Sequence, residues 1–200
     1  AGKILVLQEA AYYSYTSRWI SRVNPGGTVI REVGPARGQT SVSDHEGTAG
    51  RNWDLNRQVA GLTCTPDGTI YFAYRPDKPE VPGWQPYWHL MSLNADGNGL
   101  RQLTKGPFHD FDPVALPDGD LAFMSTRCRS RFLCWEPQAY VLHRMRPDGS
   151  AVRRISHANL SEWDPAVMRD GRLLWTRSEY QDKGADFGHT LWAIRPDGDH

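Results

Sequence analysis

The sequence predicts an all-β protein, and this class rests on its turn-forming residues, its aromatic content and its repeated hairpins. The chain has 200 residues, and its 19 Gly and 14 Pro are too frequent for a bundle of long helices. Hydrophobic residues make up 39%, with eight Trp and eight Tyr, which is too apolar for a disordered chain. Short strands joined by many turns account for both features.

The first repeated unit is an Asp-Gly turn followed by an alternating apolar strand. It occurs three times, at Asp67-Gly68, Asp118-Gly119 and Asp170-Gly171, at intervals of 51 and 52 residues. Asp-Pro precedes the two later copies, at Asp112 and Asp164, whereas Gly61-Leu62 replaces it in the first. Asp-Gly between apolar strands predicts a hairpin, because Gly accepts positive φ and Asp bonds to the backbone that follows it.

A second hairpin series alternates with the first. Its turns lie at Asp96, Asp148 and Asp197, at intervals of 52 and 49 residues, with a degenerate copy at Gly26-Gly27. The two series share a period of about 50 residues, and repeats of that length are typical of stacked architectures. Each period therefore holds two hairpins, which is four strands.

The alternation within one strand decides how these sheets are stacked. Leu121, Phe123 and Ser125 point to one face, and Ala122, Met124 and Thr126 point to the other. Both faces carry apolar groups, so each sheet needs cover on both sides. Radial stacking supplies it, and the sequence predicts a β-propeller of four-stranded blades. A β-sandwich is the alternative, but matched offsets in two series favour the propeller.

The period divides the chain into about four blades, so we expect a partial propeller of residues 1–200. The approximate blades are 3–33, 60–104, 111–156 and 163–200, with an inserted loop at 34–59. An open arc of four blades would expose apolar edges and unpaired strands. We therefore expect more chain in the native protein.

The Asp-Pro, Asp-Gly and Arg-Pro-Asp-Gly strings resemble the TolB-like (WD-like) propeller repeat. From about residue 108 onward, FHDFDPVALPDG, LSEWDPAVMRDG and GHTLWAIRPDG are similar to the family of hydrazine synthase alpha-subunit middle domains and its planctomycete-type relatives. This resemblance implies a six-bladed propeller within a longer, exported bacterial polypeptide, and hence a periplasmic or secreted location.

The resemblance implies a scaffold or binding module, whose partners are flanking domains of the same polypeptide, other subunits or a small ligand. Two alternatives stay open: part of a multihaem redox enzyme, and a propeller hydrolase or lyase with a channel metal. The chain has no Cys-x-x-Cys-His string, so haem c belongs only to flanking domains. No self-contained catalytic motif is present, and whether the protein is an enzyme stays open.

The charge balance excludes two kinds of partner. Lys+Arg and Asp+Glu both number 23, which makes the formal net charge zero. A general basic field for nucleic acid or an anionic membrane surface needs an excess of positive charge. We therefore expect no nucleic-acid partner, and no apolar run is long enough for a membrane span.

Candidate ligand-binding residues lie where the repeat is interrupted. The inserted loop supplies Asp44, His45, Arg51 and Trp53, since long propeller loops often hold ligands. His109 and Asp110 precede the repeated Asp112, whose recurrence as Asp164 indicates a structural task, for which we expect capping of backbone N–H groups. His157 and Glu162 flank the next such turn.

The remaining candidates concern metal and sulfur chemistry. Glu179, Asp182, Asp186 and His189 cluster in the fourth blade, where carboxylates and a His are suitable ligands for Ca²⁺ or another metal. His189 is also a candidate ligand-binding residue near the channel mouth. Cys128 and Cys134 are a candidate disulfide in an exported protein. Cys64, in an apolar strand, is expected to be buried.

Overall fold

A computed structural model of the chain describes residues 4–12, 15–23, 29–33, 59–75, 87–96, 98–130, 138–158, 160–179 and 188–199. Every regular element in these ranges is a β-strand, apart from one turn of 3-10 helix at Thr126–Cys128. No helix among the described residues is long and apolar enough to cross a membrane.

The strands form four antiparallel sheets, each built from consecutive strands. The first sheet contains β1 (Ile4–Tyr12), β2 (Tyr15–Val23) and β3 (Val29–Val33). The second contains β4 (Val59–Cys64), β5 (Ile70–Tyr74), β6 (His89–Leu93) and β7 (Arg101–Gln102). The third contains β8 (Asp110–Ala115), β9 (Leu121–Ser125), β10 (Val141–Met145) and β11 (Arg153–Arg154). The fourth contains β12 (Glu162–Val167), β13 (Leu173–Glu179) and β14 (Gly188–Ile194).

Strand β9 shows why the sheets stack as blades. Its Leu121 and Phe123 pack into a cluster with Tyr71 and Leu90 of the second sheet. Its Ala122 and Met124 pack instead into a cluster with residues of the fourth sheet, which are Leu173, Trp175 and Ile194. The third sheet is therefore covered on both faces by its neighbours, as the alternation predicted. The prediction of an all-β propeller fold is confirmed.

The first strand of each of the last three blades carries a bulge at the same position. Gly61, Asp112 and Asp164 have φ of 65°, 48° and 51°, and the pairing register shifts at each of them. Gly and Asp are the residues that adopt this left-handed conformation most readily. The shared conformation explains why Gly61 replaces the aspartate of the later copies, and it gives Asp112 and Asp164 a conformational task.

The Asp-Gly turns form as the sequence predicts. In each described turn the Oδ1 atom of the Asp accepts a hydrogen bond of 2.8–3.2 Å from the backbone N–H two residues later. The donors are Thr69, Asn98, Asp120, Ser150, Arg172 and Asp199. The glycines that follow have φ between 86° and 99° in Gly68, Gly119, Gly149, Gly171 and Gly198. A side chain at those positions would be strained.

Neighbouring blades are joined by one recurring contact at these turns. The Arg101 guanidinium of the second blade donates to the Asp148 carbonyl oxygen of the third at 2.8 Å. Arg153, at the same position of the third blade, donates to the Asp197 carbonyl oxygen of the fourth at 2.9 Å. A repeated arginine thus ties the outer strand of each blade to the next blade's turn.

We expect Gly149→Ala to destabilise the protein more than Gly119→Ala. Both glycines have φ near 90°, but an added Cβ at Gly149 would lie 2.6 Å from the Leu103 carbonyl oxygen, whereas nothing lies within 4 Å at Gly119. Gly119→Ala therefore reports the backbone strain alone, about 1–2 kcal/mol. Urea denaturation should show Gly149→Ala costing at least about 1 kcal/mol more. Equal losses would contradict the close blade contact.

The two ends of the propeller differ in their connections. The Asp-Gly turns lie at one end, which we call the turn end. The opposite end is called the loop end. Its described connections are residues 75, 87–88, 126–130 and 138–140 within blades and residues 103–109, 155–158 and 160–161 between blades.

Candidate functional site

A buried ion pair lies at the loop end of the third blade. The side chain of Asp110 is 0% exposed, and each of its carboxylate oxygens accepts a hydrogen bond from Arg127. One comes from Nε at 3.0 Å and the other from a terminal nitrogen at 2.8 Å. The Ser125 hydroxyl donates to the same carboxylate at 2.6 Å. Such two-pronged pairing is the arrangement in which arginine binds carboxylates most strongly.

The fourth blade repeats this pair with a different acid. Glu162 is also 0% exposed. Its carboxylate accepts hydrogen bonds from Arg177 Nε at 2.9 Å and from the Leu142 N–H at 3.0 Å. The Ser156 hydroxyl donates to it as well. Asp110 faces Ser125 across the sheet, and Glu162 faces Arg177 at the equivalent position. Asp110 is thus not unique to its blade, because Glu162 lies two residues before Asp164 as Asp110 lies two residues before Asp112.

Three histidines surround the Asp110–Arg127 pair. The Trp88 N–H donates to His109 Nδ1 at 3.4 Å, and His143 Nδ1 lies 3.0 Å from the Val141 carbonyl oxygen. The buried Nδ1 of His89 has no hydrogen-bond partner in the part of the chain that the structure describes. Of these three histidines only His109 stands out in the sequence, because His89 and His143 lie within ordinary strand patterns.

Burial lowers the pKa of all three imidazoles. For His109 the positive Arg75 lowers the pKa further, and for His89 the Arg127 guanidinium does the same. The Asp110 carboxylate opposes the lowering at each ring but does not overcome it. Since imidazole ordinarily titrates near pH 6.5, all three are neutral at pH 7.

Aromatic rings and guanidinium groups line the same region of the surface. The Arg75 guanidinium lies 5.3 Å from the centre of the Trp88 ring, and the Tyr87 ring lies 5.2 Å from that of His109. All four of these side chains are partly exposed. The carboxylate of Asp110, in the same region, is fully buried.

A second group of polar side chains lies on β8 and β12, the innermost strands of the third and fourth blades, and at Tyr140, immediately before β10. Burial and the nearby Asp164 carboxylate raise the pKa of Asp112 to about 6. The Trp163 indole donates to the Tyr140 hydroxyl, and the Phe111 ring packs edge-on against Tyr140 at 4.9 Å. Burial also raises the pKa of Tyr140, so its hydroxyl stays protonated.

Only some of the sequence-predicted site residues fall within the described ranges. His109 and Asp110 lie together, as stated above, and His189 is exposed with its ring 5.2 Å from that of Trp163. Glu179 ends β13 opposite Gly188. Those outside the described residues are Asp44, His45, Arg51, Trp53, Asp182 and Asp186. The described residues contain no group of three metal-binding side chains, and the proposed metal set stays a prediction.

The cysteines give one correction. Cys64 was expected to be buried but is exposed, because it ends β4 at the turn end, beyond the apolar cluster formed by Leu62 and its neighbours. Partial burial and the Asp67 carboxylate still raise the pKa of its thiol. The sulfur of Cys128 lies 3.2 Å from the Ala139 carbonyl oxygen. Cys134 lies outside the described residues, so the disulfide stays a prediction.

Comparison with solved structures identifies the fold. Hydrazine synthase from Kuenenia stuttgartiensis superposes on 99% of this chain with a TM-score of 0.67 and 14% sequence identity. A TolB protein from Agrobacterium tumefaciens covers 98% at a TM-score of 0.62 and 16% identity. The chain has a β-propeller fold similar to that of TolB. It resembles the matching part of hydrazine synthase, and identities this low support the fold alone.

Other comparisons show how far this similarity extends. TolB from Acinetobacter baumannii matches 94% of the chain with a TM-score of 0.57 and 9% identity. The chain spans 31% of the hydrazine synthase chain, 59% of the Agrobacterium TolB chain and 37% of the Acinetobacter one. No protein-family model matches the sequence, and no curated protein matches it.

Proposed function

We propose that the chain is a scaffold and binding module of a larger exported bacterial protein and that it works through its loop end. The observation that carries this proposal is the contrast between the two ends. At the turn end the aspartates recur in every described hairpin and are bonded within their own turns. At the loop end of the second and third blades, the partly exposed side chains of Trp88, His109 and Arg75 lie outside these turns.

The resemblance to TolB and to hydrazine synthase supports a module within a longer chain, since this sequence covers under two thirds of each. Its partners are then flanking domains of the same polypeptide or other subunits, and a small ligand binds at the loop end. The protein then works in the periplasm or outside the cell. A propeller suits this task, because a rigid stack of sheets presents loops from several blades on one surface.

Site-specific photo-crosslinking in the bacterial host tests this proposal. A photoreactive phenylalanine analogue replaces Lys105 at the loop end or, as the matched control, Arg169 at the turn end; both are exposed cationic residues. We expect the Lys105 position to crosslink to one protein or flanking domain and the Arg169 position to give no such product. Equal products at both ends, or products from Arg169 alone, would overturn the proposal.

A further inference from the structure

Two guanidinium groups share one aromatic ring at the loop end of the third blade. Arg127 Cζ lies 4.7 Å and Arg129 Cζ 5.7 Å from the centre of the Phe108 ring. The ring itself packs over Gly106, where an added Cβ would lie 3.3 Å from ring carbons. The Phe108 ring therefore packs against Gly106 and also contacts both guanidinium groups.

The buried carboxylate fixes the direction of Arg127. Its Nε and one terminal nitrogen bind Asp110, and that terminal nitrogen also donates to the Lys105 carbonyl oxygen at 2.8 Å. The other terminal nitrogen has no acceptor among the described residues, and the side chain is 20% exposed. One N–H edge of an immobilised guanidinium thus stays available for a ligand.

Arg129 is held in an unusual backbone conformation. It has φ 55° and ψ 20°, and its N–H closes the preceding 3-10 turn by donating to the Thr126 carbonyl oxygen. The side chain is exposed, and no carboxylate in the described ranges pairs with it. A residue with a Cβ is disfavoured in this conformation, and such strain is concentrated at functional sites.

The repeat shows that this arrangement is not a structural requirement of a blade. Fifty-two residues further on, Phe108 corresponds to Leu160, whereas Asp110 corresponds to another buried acid, Glu162. The arginine that pairs with Glu162, Arg177, also stacks on an aromatic ring, 4.0 Å from the centre of Trp192. The buried acid and its stacked arginine are therefore repeated, whereas among the described residues a second arginine on the same ring occurs in the third blade alone.

We propose that Phe108, Arg127 and Arg129 form an oxyanion-binding site that takes the carboxylate or phosphate group of a small soluble ligand. The N–H groups of a guanidinium lie in its plane, so stacking on a ring covers the face of the group and leaves the N–H edge accessible. Two parallel hydrogen bonds from that edge fit an oxyanion. Asp110 already neutralises one positive charge, which leaves one net positive charge for a monoanionic group. This site names the ligand class of the proposed binding module and rests on that proposal.

Titration of the folded protein with inorganic phosphate and, separately, acetate tests the site at constant ionic strength. The readout is the ¹H–¹⁵N signals of the arginine Nε–H groups. We expect saturable shifts at Arg127 and Arg129; a response to phosphate alone identifies a phosphate ligand, and a response to acetate alone a carboxylate. No saturable shift with either anion would overturn the inference.

The variant Arg129→Gly separates binding from stability. Gly accepts the backbone conformation of Arg129, so the melting temperature should be unchanged or higher while anion affinity falls at least about fivefold. Arg129→Lys keeps the positive charge but removes the two parallel N–H donors of the guanidinium, and it should weaken anion binding about threefold. Arg169→Ala, at the turn end, is the matched control and should bind as the wild type. Unchanged affinity in Arg129→Gly would overturn the site.

The two experiments fail independently. Crosslinking at Lys105 does not use the Arg129 side chain, so crosslinks without anion binding would remove this inference and keep the binding module. Anion binding with equal crosslinks at both ends would remove the proposed partner surface and keep the oxyanion site.

Discussion

Glu162→Ala is expected to lower the free energy of unfolding by about 3 kcal/mol at neutral pH. The carboxylate is fully buried, and its removal leaves Arg177 and the Ser156 hydroxyl without this acceptor, whereas the Leu142 N–H still donates to the Ser156 oxygen. Arg177 is 15% exposed, which lets water recover part of the loss and keeps the effect below the upper range for buried pairs. Urea denaturation followed by Trp fluorescence measures the difference.

Two companion variants show whether burial is the cause. Glu162→Gln keeps the shape and one acceptor oxygen, so it should cost about 1–2 kcal/mol. Asp170→Ala removes the exposed Asp170–Arg172 pair, whose side chains are 50% and 48% exposed, together with one turn hydrogen bond, and it should cost less than Glu162→Ala. A Glu162→Ala loss no larger than that of Asp170→Ala would show that the buried pair contributes little.

The strands and turns of the propeller were predictable because their signals are local. Each turn Asp bonds to a backbone N–H two residues away, and each turn Gly has the φ that only Gly adopts freely. The alternation around Phe123 and Met124 likewise needs no knowledge of the partner strand, because side chains alternate between faces by geometry. The exposed position of Cys64 was missed, since alternation gives the face of a strand and not how far the covering blade extends.

The candidate site was harder to predict because its contacts depend on pairing register. Arg177 lies directly opposite Glu162, whereas Arg127 lies two residues beyond Ser125, the residue opposite Asp110. The two ion pairs are therefore equivalent in space while their arginines do not align in sequence. His89 and His143 come together with Asp110 only through strand pairing, and no short motif marks them.

Asp112→Asn is expected to raise the free energy of unfolding near pH 8 by about 2 kcal/mol and to leave it unchanged near pH 4. Burial and the Asp164 carboxylate raise the pKa of Asp112 to about 6, so the folded protein holds this proton more tightly than the unfolded chain. The stability that the protonated acid contributes is complete below about pH 4 and is lost as the pH rises through 6. Asn keeps the left-handed backbone of Asp112 without the charge.

Urea denaturation at the two pH values checks this prediction, and Asp164→Asn is its control. Asp164 is exposed, and its charge is only the second cause of the raised pKa of Asp112, after burial. Its replacement should therefore recover less stability near pH 8 than Asp112→Asn does. A gain of equal size at both pH values would show that side-chain packing, not ionisation, is responsible. A gain confined to high pH would establish that the innermost strands hold an acid that prefers its proton near neutrality.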